Sequence, residues 1–115
     1  MHDSYAVSLS VWFRVSLFFP VIMVVVSFLN PASGKMLDIE GNSSANGTKV
    51  HLYDRNSSPA QRFDITPGGE IVHISSGKCI DVEGNSSANC TKIQLYDRNG
   101  TAAQKFVIKS DGTIF

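Results

Sequence analysis

The chain reads as an all-β repeat protein. Three observations carry this: a long internal self-similarity, a period-two alternation of apolar residues inside each copy, and no amphipathic helical period in either copy. The segment that begins at Ser33 aligns over the one that begins at Ser76, an offset of 43 residues, with 24 of 40 aligned positions identical. Leu37/Ile80, Ile39/Val82 and Val50/Ile93 exchange one apolar residue for another, the pattern that a packed core imposes.

Ahead of the repeats, residues 15–29 read VSLFFPVIMVVVSFL, and a hydrophobic N-terminal helix is expected there. At about 15 apolar residues the run suits the core of a secretion leader better than a bilayer span, which needs about 20. Small residues at Ala32 and Gly34, or at Val25 and Ser27, fit a leader-peptidase site. Extended back to Val7 the run is long enough to anchor in a membrane, at the cost of burying Arg14. A third alternative is a wrongly assigned start. The expected organisation is a leader or anchor over 1–32, a first unit over 33–75 and a second over 76–115, with the product secreted or anchored by residues 7–29.

Each unit divides into four short strands bounded by Gly, Asn and Ser. They are expected near 35–40, 49–55, 61–66 and 70–74, then near 78–83, 92–98, 104–109 and 113–115. If Leu37 faces Leu52 and Ile39 faces Val50, the opposite face pairs Met36 with Tyr53, Asp38 with His51, and Glu40 with Lys49. In the second unit it pairs Cys79 with Tyr96, Asp81 with Gln94, and Glu83 with Lys92. Each unit therefore presents a carboxylate, a polar group and an aromatic ring together, a set suited to a sugar.

Four stretches, G-K-C-I-D-V, N-S-S-A-N, I-Q-L-Y-D and A-A-Q-K-F, resemble the ricin-B-type lectin repeat over essentially all of residues 33–115. The resemblance implies a β-trefoil, here partial, since that fold is built from three such units. It also implies a non-catalytic carbohydrate-binding module for galactose- or xylose-type glycans. The sugar-binding residues it implies are Asp38, His51, Tyr53 and Gln61 in the first unit, and Asp81, Gln94, Tyr96 and Gln104 in the second. Phe63 and Phe106 replace the family's Trp after that Gln, and Ala60 and Ala103 stand where the family has an Asn donor. For Gln61 and Gln104 the alternative is a hydrogen bond to the backbone of their own turn. For each Asp–Tyr set it is a cross-strand surface pair.

Members of that family bridge the first-strand Cys to one just after the second-strand aromatic. Here Met36 and Arg55 hold those places in the first unit, and Cys79 faces Arg98 in the second. The other thiol, Cys90, lies about 20 Å from Cys79 at about 3.3 Å per residue, whereas a disulfide needs Cα atoms within about 7 Å. An inter-chain bridge is the alternative. Six Asn-x-Ser/Thr sequons, at Asn42, Asn46, Asn56, Asn85, Asn89 and Asn99, fall in expected loops, either as glycan acceptors or simply as turn residues.

The formal net charge is zero, without the basic face that binding to nucleic acid needs. No metal-ligand spacing, phosphate loop or catalytic triad appears, so no cofactor is expected. Two units suggest a fragment of a longer protein, with a homo-oligomer that completes the trefoil as the alternative, and the membrane as a partner only through an uncleaved N-terminal segment. Two further readings are kept: the binding arm of a larger glycoside hydrolase or toxin, and a trefoil used for protein contacts without sugar.

Overall fold

A computed structural model of the chain describes residues 3–4, 6–15 and 20–114, with side chains described from residue 25 onward. Strand β1 is Asp3–Ser4, β2 is Ala6–Val15 and β3 is Pro20–Leu29. The first unit supplies β4 (Met36–Ile39), β5 (Thr48–Tyr53), β6 (Phe63–Ile65) and β7 (Ile71–His73). The second supplies β8 (Lys78–Val82), β9 (Ile93–Tyr96) and β10 (Thr113–Ile114).

Residues 6–15 and 20–29 are extended, and β2 and β3 pair antiparallel from Ala6↔Leu29 to Val15↔Pro20. Composition accounts for this, because Val21, Ile22, Val24, Val25 and Val26 are β-branched and favour a pleated surface over a helix. Residues 16–19 of the expected leader or anchor lie outside the described residues. Among the described residues, no helix is long and apolar enough to cross a membrane.

The strands run in the order β2-β3-β4-β5-β9-β8-β7-β6, and β6 pairs back onto β3 through Val26↔Phe63. Seven strands, β3 to β9, thus close a ring, with β2 paired along the outside of β3. The strand that closes it comes from the apolar segment, so the core reaches back across residue 33. Val26 and Phe28 are fully buried there with Ile39, Phe63, Ile71, Ile80, Leu95 and Ile114. The Phe28 and Phe63 rings meet at 5.8 Å, tilted by 60°, a favourable aromatic geometry.

Register follows the expected pairing through Met36↔Tyr53, Leu37↔Leu52, Asp38↔His51 and Ile39↔Val50, and through Cys79↔Tyr96 to Val82↔Ile93. It stops one pair early, because Glu40–Asn42 and Glu83–Asn85 are single 3-10 turns with Gly41 and Gly84 at φ 63°. Lys49 pairs with Gln94 of the second unit instead. Leu52, expected in the core, is 38% exposed, whereas its counterpart Leu95 is fully buried. Thr48 lies beside Leu95 across the two units, and no described strand lies beside Leu52 in the same way.

The third strand expected near 104–109 is absent as a strand. Ala102–Gln104 form a 3-10 turn, and Ile108 makes one isolated bridge to Ile114. Gly69 holds the corner nearby at φ 88°, where a Cβ would fall 2.7 Å from the Phe106 carbonyl oxygen. That approach lets the Phe106 N–H donate to the Gly69 carbonyl at 2.9 Å.

Candidate functional site

In the first unit, Asp38 sits on β4 with 4% of its surface exposed, and both carboxylate oxygens are held. His51 Nε2 lies 2.7 Å from Oδ1, and Gln61 Nε2 donates to Oδ2 at 3.0 Å. Strand pairing explains the first contact, since Asp38 and His51 are register partners. The second comes from the 3-10 turn at Pro59–Gln61, which turns Gln61 inward.

Gln61 is committed within the fold. Its amide also donates to the Asp54 carbonyl at 2.8 Å, and its Oε1 accepts from the Asn56 N–H at 3.2 Å. It therefore ties the loop to the back of Asp38, and its two N–H donors are both in use. His51 and Tyr53, two residues apart on one face of β5, stack at 5.5 Å with planes 15° apart. Tyr53 is 52% exposed, so the stack forms an accessible aromatic shelf beside a buried carboxylate.

These groups line a cavity of about 340 Å³, bounded by Asp38, Glu40, Gly41, Asn42, His51, Tyr53, Asn56, Ser58 and Ala60. Glu40, Asn42, Asn56 and Ser58 are lining residues that motif reasoning leaves out. They lie in turns, where Asn and Ser carry no periodic signal.

The second unit repeats the polar frame. Gln94 donates to Asp81 Oδ1 at 3.1 Å and Gln104 to Oδ2 at 3.0 Å; Gln104 also donates to the Asp97 carbonyl at 2.7 Å. Tyr96 is 39% exposed, less than Tyr53. The two sites differ in one frame residue, His51 against Gln94. Contacts join Asp38, His51, Tyr53 and Gln61 in the first unit and Asp81, Gln94 and Gln104 in the second, where Tyr96 lies two residues along β9 from Gln94.

Away from these sets, Cys79 is buried and Cys90 exposed, both free. Burial first, then the neighbouring Glu70 carboxylate, pushes the Cys79 thiol up to about 11. Among the described residues no three His, Cys, Asp or Glu side chains stand close enough together to hold a metal.

The comparison that decides the family is a profile of the ricin-type β-trefoil lectin domain-like proteins, which matches residues 23–96 and again 59–114. The chain belongs to this family. Its match begins inside the apolar run, in keeping with the burial of Val26 and Phe28. Among solved structures, this lectin-like domain is similar to a designed 3-fold symmetric protein, ThreeFoil, at 29% identity and TM-score 0.67 over 76% of this chain and 67% of that one. It is also similar to an exo-β-1,3-galactanase, 1,3Gal43A from Clostridium thermocellum, at 31% identity and TM-score 0.62 over 73% of this chain and 20% of that one. The mdaA-1 domain shares the fold at 21% identity and TM-score 0.69, over 76% of this lectin-like domain and 59% of that chain. No curated protein matches significantly.

Proposed function

We propose that the chain is a non-catalytic carbohydrate-binding module whose first pocket takes a galactose- or xylose-type sugar. The observation that carries this is the pairing of a buried, doubly held carboxylate with an exposed aromatic shelf. Asp38 accepts one bond from the protein on each oxygen, and a carboxylate has about four acceptor positions. The remaining lone pairs suit two vicinal sugar hydroxyls, while Tyr53 packs against the apolar C–H face of the ring.

Pre-orientation supports the reading. His51 and Gln61 hold Asp38 before any ligand arrives, so binding spends little on ordering it. The second set, Asp81, Gln94, Tyr96 and Gln104, offers the same chemistry, and two weak sites on one chain would act together on a multivalent glycan. We further propose that the protein is secreted.

A second reading is favoured by the galactanase likeness, which spans only 20% of that enzyme: the module serves as the binding arm of a larger glycoside hydrolase. Both readings predict retention on immobilised galactose or xylose and release by the free sugar. A folded protein that passes through both columns unretained would rule them out together.

A further inference from the structure

We infer that Asn42 is the amide donor of the first pocket, and that His73, reaching in from β7, is the residue that positions it. This rests on the carbohydrate reading above. The pocket is rich in acceptors, Asp38 and Glu40, and several of its donors are already spent. Both Gln61 N–H groups go to Asp38 and Asp54, the His51 Nε2–H faces Asp38, and Ala60 has no polar atom on its side chain.

Asn42 is held differently from the other turn residues. His73 is 1% exposed, and its Nε2 lies 3.2 Å from both Asn42 Oδ1 and the Pro59 carbonyl oxygen. A carbonyl can only accept, so Nε2 carries the proton and shares it between the two. Nδ1 is then the acceptor for the Ser76 hydroxyl at 2.8 Å. With Oδ1 bound to His73, the Asn42 amide keeps both of its N–H donors for the pocket that it lines.

Asn30 stands where His73 stands, 43 residues earlier. It performs the same local task, with Oδ1 accepting from the Ser33 N–H at 3.0 Å and from the Ser33 hydroxyl at 2.9 Å. His73 combines that task with a reach to the pocket residue Asn42.

The test is a titration of the full chain with methyl β-D-galactopyranoside and methyl β-D-xylopyranoside, followed by NMR, with thermal melts to verify folding. Asn42→Ala and His73→Ala should each weaken binding at the first pocket by about tenfold, near the upper end for one neutral hydrogen bond. The double variant should be no weaker than Asn42→Ala alone. His73→Gln, which keeps an N–H donor, should restore most of the affinity, and it also serves if His73→Ala fails to fold. Asn85→Ala should leave the first pocket unchanged. Wild-type affinity in Asn42→Ala, with binding abolished in Tyr53→Ala, overturns the donor assignment while leaving the carbohydrate reading standing. Additive losses overturn the positioning role. If the folded wild type binds neither glycoside, the carbohydrate reading falls and takes the donor assignment with it.

Discussion

Arg98 grips Glu70 in a two-pronged pair, with Nε donating to Oε2 at 2.8 Å and Nη2 to Oε1 at 2.7 Å. Beneath it, the Cys79 thiol donates to Glu70 Oε2 at 3.7 Å. Arg98 occupies the position at which the family places the partner of its first-strand Cys. A charge-assisted clamp thus links the turn before β7 to the loop after β9, over the buried Cys79 thiol. The first unit has no counterpart, since the residue in the place of Glu70 is Ser27.

Arg98→Ala and Glu70→Gln should each lower the melting temperature, and combining them should cost less than the sum of the two. The Arg98 guanidinium holds the Glu70 carboxyl below its ordinary value of 4.5. A depressed carboxyl pKa contributes stability that is fully present above about pH 4.5 and is lost as pH falls through the lowered folded value. Wild type and Glu70→Gln melts, compared from pH 7 to pH 3, should therefore converge on the acid side.

The two thiols should separate cleanly. Cys79 is fully buried and its thiol is pushed up to about 11, so little thiolate forms near neutrality. Cys90 is exposed. Ellman's reagent at pH 8 should titrate one thiol promptly in the folded protein and two in guanidinium. Prompt reaction of both in the folded state would contradict the burial of Cys79.

Burial holds the His73 imidazole below its ordinary value of 6.5, outweighing the opposing pull of the Pro59 carbonyl and the Asp38 charge. At high pH the residue is neutral in both folded and unfolded chains and exerts no pull. As pH falls below about 6.5 the unfolded chain takes up the proton first, so stability declines until the folded value is passed. Urea melts at pH 8 and pH 5.5 should show a larger loss for wild type than for His73→Gln. Parallel losses would remove His73 from the acid response.

Phe28→Ala should cost about 3–5 kcal/mol, the range for emptying a buried aromatic site, since Phe28 is fully exposed to neither solvent nor edge but packed at 0% exposure against Phe63. A chain that starts at Ser33 should fail to melt cooperatively. If the protein is secreted, N-terminal sequencing of the product should place its first residue upstream of Val26, because a cut at Ala32 or Gly34 would discard two core side chains.

Much of the site was legible because two signals coincide in the repeats. Period-two alternation put Asp38 beside His51 and Asp81 beside Gln94, and the repeat carried the same frame into both units. The strand at residues 20–29 was not legible, since a run of Val and Ile serves equally in a leader core or in a strand, and its pairing with Met36 and Phe63 leaves no local pattern. The link between Asn42 and His73 spans 31 residues and leaves no local pattern. A trace of it lay in the repeat itself, where His73 replaces Asn30 between otherwise similar turns.

The most direct test of the central claim is a chemical-shift map of the full chain titrated with methyl β-D-galactopyranoside and methyl β-D-xylopyranoside. Binding at the first pocket predicts saturable shifts at Asp38, Asn42, His51 and Tyr53, lost in Tyr53→Ala while the rest of the spectrum is retained. A folded wild-type chain whose pocket resonances stay unmoved at saturating glycoside would contradict it.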